Sequence, residues 1–184
     1  MTTVWTIAGS LDVGPVTERM DLLAAPVAEA VRRLDPAEAD RIGAVRIDPE
    51  LADTAAFCEH YGSPIEASAN CVVVAGKRAG EVRYAACLVL ATTRADVNGL
   101  VKRRLDVRKA SFAPMTDAVG LTGMEYGGIT PIGLPADWPL LLDSRVAAAP
   151  ELVIGSGIRG GKLLVPGDLL AKLAGAEVIE GLGG

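Results

Sequence analysis

The sequence predicts an α+β fold whose sheet is mixed or antiparallel rather than doubly wound. Two apolar runs rich in β-branched residues, at 70–75 and 82–91, are separated by a turn too short for a crossover helix, so they pair as a hairpin. Helix and strand signals elsewhere alternate irregularly instead of in βαβ order. Length is the third observation: 184 residues fit one domain of ordinary size with a modest extension.

Residues 9–25 read as irregular. Pro26 suits the first turn of a helix to about Leu34, where its missing N–H costs nothing. Residues 35–40 form an acidic connector and residues 43–47 a short strand. Asp48-Pro49-Glu50 supplies the N-cap, first position and first-turn acid of a helix through Tyr61 that Gly62 closes. The hairpin follows, with residues 76–80 as its turn. Asp96 caps an amphipathic helix to about Leu105, residues 108–112 are extended, and Pro114 opens a short helix that Gly123 ends. Residues 124–135 contain three glycines and two prolines, which prevents any regular element. Strands at 139–143 and 152–155 flank an Ala-rich helix. A turn at 156–160 leads into a strand over 162–165, Pro166-Gly167-Asp168 opens a helix to Leu173, and 177–179 form a final strand.

Half of the residues are apolar but only 4% are aromatic, so Ala, Val, Leu and Ile must build the core. Charged residues amount to 22%, as in a folded globular chain rather than a disordered one. The single histidine, His60, excludes a multi-His zinc or two-His iron centre within one chain, and no metal or cofactor is expected. Cys58, Cys71 and Cys87 contain no C-x-x-C pair and read as buried apolar thiols. No uncharged apolar run reaches the roughly 18 residues of a membrane span. The first residues lack the basic start of a secretory leader, so the expected location is cytoplasmic, with no membrane partner.

The formal net charge of −5 argues against nonspecific DNA binding, but it is unevenly spread. Residues 1–75 carry 5 basic and 12 acidic groups, whereas residues 76–172 carry 13 basic and 9 acidic. Arg94, Lys102, Arg103, Arg104, Arg108 and Lys109 concentrate the positive charge, either as phosphate contacts or as a solvated helix face.

Four patterns carry candidate chemistry. Gly155-Ser156-Gly157-Ile158-Arg159-Gly160 has dinucleotide-loop spacing, but a strand follows where that loop needs a helix, so a hairpin turn fits better. Ser156 lacks a nucleophile elbow because Ile154 stands where the first glycine belongs, and His60 has no visible orienting partner. Glu125 and Asp143 flank the Gly/Pro loop as a carboxylate pair, with solvated acids as the alternative. The loop Tyr126–Gly133 is the richest of the four. Consecutive glycines let backbone amides approach a carbonyl oxygen that gains charge during acyl transfer; an ordinary crossover is the alternative.

Taken in order, several segments resemble the YbaK/prolyl-tRNA synthetase associated domain family. They are the helix ending in Tyr61-Gly62, the hairpin, the basic segment, Thr122-Gly123, and the loop Gly127-Gly128-Ile129-Thr130-Pro131-Ile132-Gly133. Leu141-Leu142-Asp143, residues 156–160 and Pro166-Gly167-Asp168-Leu169-Leu170 complete the likeness, which runs from about Leu51 to Leu173. It implies a YbaK-like domain over 46–184, with 1–45 as an acidic extension packed on it. Its mixed, largely antiparallel curved sheet would have about six to seven strands surrounded by helices.

The resemblance also implies an aminoacyl-tRNA deacylase that hydrolyses a small noncognate aminoacyl ester in trans, without metal or cofactor. Gly127, Gly128, Ile129, Thr130, Pro131, Asp143, Ser156 and Gly157 would bind the substrate. Arg94, Lys102, Arg103, Arg108 and Lys109 would contact the tRNA acceptor end, and an aminoacyl-tRNA synthetase would be a second partner. The family places a functional lysine on the first hairpin strand, where this chain has Val73. Asn70, Lys77 and Arg94 are the substitutes nearby, with Asn70 on the strand itself. The alternative is a catalytically weak or inactive member that binds tRNA, a synthetase or a small ligand.

Overall fold

The computed structural model describes residues 4–184, so the Met1–Thr3 part of the leader and extension readings lies outside the described residues. Along the chain the strands are β1 (Gly14–Pro15), β2 (Gly43–Arg46), β3 (Ala69–Arg78), β4 (Glu81–Leu90), β5 (Ala110–Phe112), β6 (Leu140–Asp143), β7 (Leu152–Gly155), β8 (Gly161–Val165) and β9 (Ala176–Ile179). The helices are α1 (Ala25–Arg33), α2 (Pro36–Ala39), α3 (Thr54–Tyr61), α4 (Lys102–Leu105), α5 (Met115–Thr122), α6 (Ser144–Ala148) and α7 (Gly167–Ala171).

The α+β class with mixed, largely antiparallel strand pairing holds, and the strands are shared between two sheets. One has four strands in the order β1-β2-β8-β7, all antiparallel. The other has five in the order β5-β3-β4-β6-β9, with parallel pairing of β4 to β6 and β6 to β9. Their separation reflects long-range pairing. β2 and β8 pair with each other although more than a hundred residues of chain lie between them, and no local pattern announces that choice.

The hairpin is longer than expected. β3 continues through Gly76–Arg78 because all three residues pair with β4, at Arg83, Val82 and Glu81, and Gly76 pairs with β5 as well. Only Ala79 and Gly80 remain to turn the chain, at φ 52° and 80°, the left-handed pair that matches the twist of a two-residue hairpin.

The helix expected over 48–61 is broken. Asp48 caps a single 3-10 turn, Pro49–Leu51, and Asp53 then caps α3 afresh by accepting from Ala56 N at 3.4 Å. A second capping side chain inside the run competes with continuous helix. The acidic connector likewise contains the short helix α2.

Alternation along β6 divides the core. Leu140 and Leu142 face a cluster that includes Val27 and Val31 of α1, Ile154 and Leu163, whereas Leu141 faces Val74, Ala85 and Cys87. A third cluster joins Ile7, Val45, Phe57, Val153 and Leu164. Strand β2 lies across the 45/46 boundary, and the bidentate pair of Arg41 with Asp168, at 2.7 and 2.8 Å, ties the segment before it to α7. Among the described residues, no helix is long and apolar enough to cross a membrane.

Candidate functional site

A bridge between Ser68 and Val153 joins the two sheets. Beside it lies a cavity of about 440 Å³, within the range of small-molecule sites. One wall is the start of β3, Asn70 to Val73, with Thr54 of α3 donating its hydroxyl to Asn70 Oδ1 at 2.9 Å. The facing wall is Tyr126, Gly127 and Ile129 of the glycine loop. Gly155 and Lys162 close the base, and Phe112 stands at the rim, 63% exposed.

The loop sits where it does because two glycines face one another. A Cβ on Gly155 would lie 2.5 Å from Gly128 O, and a Cβ on Gly128 would lie 2.7 Å from Ile158 O. Backbone bonds then pin the loop to the segment after β7. Gly157 N donates to Gly128 O and Glu125 N donates to Gly157 O, both at 2.8 Å. The Glu125 carboxylate accepts from Arg159 N at 2.7 Å. The Arg159 guanidinium spans from Tyr126 O at 3.3 Å to Pro49 O at 3.1 Å and braces the loop against the turn before α3.

These bonds decide which loop groups are free. Gly128 N is taken by Glu125 O at 2.9 Å, and Thr130 N points at Met124 Sδ at 3.4 Å. Thr130 and Pro131 are buried beneath the loop, and Thr130 Oγ1 has no hydrogen-bond partner among the described residues. Gly127 and Ile129 are the members of the expected substrate set that line the cavity.

Asp143, Ser156 and Gly157 lie off the cavity. Asp143 is fully buried, accepts from Arg145 N at 2.8 Å and Gly183 N at 2.7 Å, and pairs with the Arg145 guanidinium at 3.1 Å. Burial pushes its pKa up, but the Arg145 and backbone hydrogen bonds outweigh that and hold it below the usual carboxylate value. Ser156 Oγ donates to Ile158 O at 3.4 Å, and Gly157 packs on Ala24 and Val27. Glu125 and Asp143 are therefore each engaged separately, by Arg159 and by Arg145.

Val73 and Asn70 both line the cavity, so the strand position expected to hold lysine is apolar and inside the site. Lys77 lies on the exposed far part of β3. Arg94, Arg103, Arg108 and Lys109 are exposed and Lys102 half-buried, and none of the five forms an ion pair among the described residues. Arg104 differs, being held by Glu177 through two bonds at 2.6 and 2.7 Å. Lys109 immediately precedes β5, which carries Phe112 at the cavity rim.

Lys162 was missed by sequence reasoning. It is 8% exposed, lines the cavity, and donates to Ala52 O at 3.1 Å. Its only sequence signal is a charge within an otherwise apolar strand. Burial pulls its pKa below the ordinary lysine value and Arg159 adds to that, while Cys58 and Asp53 oppose it. Cys71, also on the lining, is held protonated by burial and by Cys87, whose own pKa burial pushes up to about 12. Neither thiol is a ready nucleophile.

Residues 48–173 match the aminoacyl-tRNA editing domain. No curated protein sequence matches the chain. Among solved structures, the hypothetical protein APE2540 is similar at a TM-score of 0.71 and 20% identity, covering 86% of this chain and 99% of that one. A proposed trans-editing enzyme for prolyl tRNA synthetase is similar at 0.69 and 20%, covering 86% and 97%. A protein from computational epitope grafting onto scaffolds is similar at 0.70 and 20%, covering 85% and 95%. These likenesses show a shared fold. The matched segment contains every residue that lines the cavity, and the chain belongs to the aminoacyl-tRNA editing domain family.

Proposed function

We propose that the protein is a trans-acting aminoacyl-tRNA deacylase, hydrolysing the ester between a small noncognate amino acid and the 3′ ribose of a tRNA. The observation that carries this reading is the cavity itself, enclosed by the glycine loop and β3 within the segment that matches the editing domain. Its walls are mostly small or apolar, with Asp53, Thr54, Asn70 and Lys162 as polar groups. A site of this kind selects by size, admitting Ala-, Ser- or Cys-sized side chains and excluding larger ones. The exposed aromatic rings of Phe112 and Tyr126 offer faces for a terminal base. Arg108 and Lys109 just before β5, with Lys102, Arg103 and Arg94 earlier in the chain, offer charge for acceptor-stem phosphates in a cytoplasmic setting.

Val73 favours a second reading, a family member that binds aminoacyl-tRNA or a synthetase without turning it over. One experiment separates the two. The purified protein is incubated with tRNAs carrying alanine, serine, cysteine and larger amino acids, and release of each is followed beside a measurement of tRNA binding. Accelerated hydrolysis of a small noncognate ester is expected. Binding without hydrolysis above the spontaneous rate selects the second reading, and neither binding nor hydrolysis ends both.

A further inference from the structure

Lys162 is the residue whose environment the fold alone leaves unexplained. The other residues of β8 are buried and uncharged, and its cross-strand neighbours are Val45 and Gly155. Its Nζ touches one acceptor, Ala52 O at 3.1 Å, and lies 5.3 Å from the Phe57 ring centroid. An ammonium carries three protons, and among the described residues it has this one hydrogen-bond acceptor and no ion-pair partner. Burying a charge so incompletely paired is costly, and a leucine or methionine of similar length would fill the same strand position without that cost. Lys162 lines the cavity together with Gly127 and Ile129 of the glycine loop, so a ligand bound there can supply the acceptors the ammonium lacks.

The remaining contacts favour the protonated form. A carbonyl oxygen at the break before α3 and an aromatic face are both groups that receive a cation, and neither would hold a neutral amine as well. The break explains why that carbonyl is available: Ala52 lies between the 3-10 turn and α3, outside both. Asp53 next to it and Cys58 of α3 favour the charged form of Lys162, and Arg159 in the turn after β7 opposes it.

We propose that Lys162 is a catalytic residue of this cavity, its ammonium donating to the carbonyl oxygen of the bound aminoacyl ester and holding the negative charge that forms there. The inference rests on the deacylase reading above. Water attacks the carbonyl carbon, and the carbonyl electron pair moves onto the oxygen held by Nζ. Collapse restores the carbonyl and breaks the bond from that carbon to the ribose 3′-oxygen. The proton lost by water goes to the departing 3′-oxygen, and the amino acid leaves as its carboxylic acid, which ionises. Lys162 keeps its protons throughout. This donor comes from β8, in the other sheet from Val73, so the site has its cation without a lysine on β3.

Two measurements test it. In the first, Lys162→Met and Lys162→Arg are compared with the wild type on alanyl-, seryl- and cysteinyl-tRNA, with thermal melts as a folding control. Loss of one preorganised oxyanion donor lowers kcat by about 100-fold or more, and KM is expected to stay within about threefold because the donor acts on charge that develops only in the transition state. A folded Lys162→Met protein with wild-type kcat overturns the role of Lys162 and leaves the deacylase reading intact. A wild type without activity overturns both.

The second needs no turnover and no variant that folds. Wild-type protein with isotope-labelled lysine and backbone amides is titrated with 3′-alanylamino-3′-deoxyadenosine, an amide analogue of the aminoacyl end, and followed by NMR. Shifts at the Lys162 side chain together with Gly127 and Ile129 are expected. Shifts at Gly127 and Ile129 without Lys162 overturn this proposal alone, and no shift at any of them overturns the site.

Discussion

The Nζ of Lys162 lies 5.3 Å from the ring centroid of Phe57, so β8 and α3 meet through a cation and an aromatic face at the base of the cavity. This contact, with the hydrogen bond to Ala52 O, is what the fold provides to a charge held away from water.

Stability is expected to carry the pH signature of that burial. The folded-state pKa of Lys162 lies below its ordinary 10.5, mainly through desolvation and further through Arg159, with Cys58 and Asp53 opposing. Below the folded value the ammonium is charged in both states and destabilises the fold. Between the folded value and 10.5 the unfolded chain binds the extra proton, so stability gains as pH rises through that window. Urea unfolding of wild type and Lys162→Met across the alkaline range checks it. The wild type should improve relative to the variant towards pH 10.5, and a constant difference would contradict the sign.

Phe57 is fully buried between β2, β7 and Lys162. Phe57→Ala removes the ring and leaves a cavity, with an expected loss of about 3–5 kcal/mol in chemical denaturation. Phe57→Leu, which keeps most of the volume, should cost clearly less.

Asp143 ties β6 to α6 and to the C-terminal turn at Gly183. Asp143→Asn should lose about 1–3 kcal/mol at neutral pH, the range for a buried bond to a charged group. The wild-type advantage is present above the unfolded value near 3.8 and disappears as pH falls through the depressed folded value. Acid titration of both proteins by circular dichroism reads this directly.

Lys102, Arg103, Arg108 and Lys109 are free of ion pairs among the described residues, and Arg104 is not. Replacing any of the first four by alanine should weaken tRNA binding and make the slope of log affinity against log salt shallower, by up to about one for each phosphate left without its cation. Arg104→Ala should act chiefly on stability, by no more than about 1 kcal/mol for an exposed pair. Filter binding at several salt concentrations separates the two classes.

Deleting residues 1–45 should abolish cooperative unfolding rather than trim an appendage. Val27 and Val31 sit in the same cluster as Leu142 and Leu163, and β2 completes the four-stranded sheet. A truncated protein with an unchanged melt would show that the domain over 46–184 stands alone.

Much of the fold was legible locally. Pro26, Gly62, Gly123 and the paired apolar runs mark helix starts, helix ends and the hairpin through propensities that act within a few residues. The glycine loop was legible as irregular backbone, but its amides were not. Whether Gly128 N meets a ligand or Glu125 O depends on how residues 155–159, thirty positions away, hold the loop. The break at Ala52 was legible only in part, since Asp48 and Asp53 are both good caps and packing chose to use each.

The amino-acid order by itself determined the α+β class, the hairpin, the charge asymmetry and the motif series of the editing family, because each depends on neighbours in the chain. Tertiary structure alone decided that the strands divide into two sheets, that Asp143 and Ser156 turn away from the cavity, and that Lys162 turns into it. The physical reason is the same for the division into sheets and for Lys162. A strand residue's neighbours come from other strands, and the face it presents is set by register across the sheet rather than by its position in the chain.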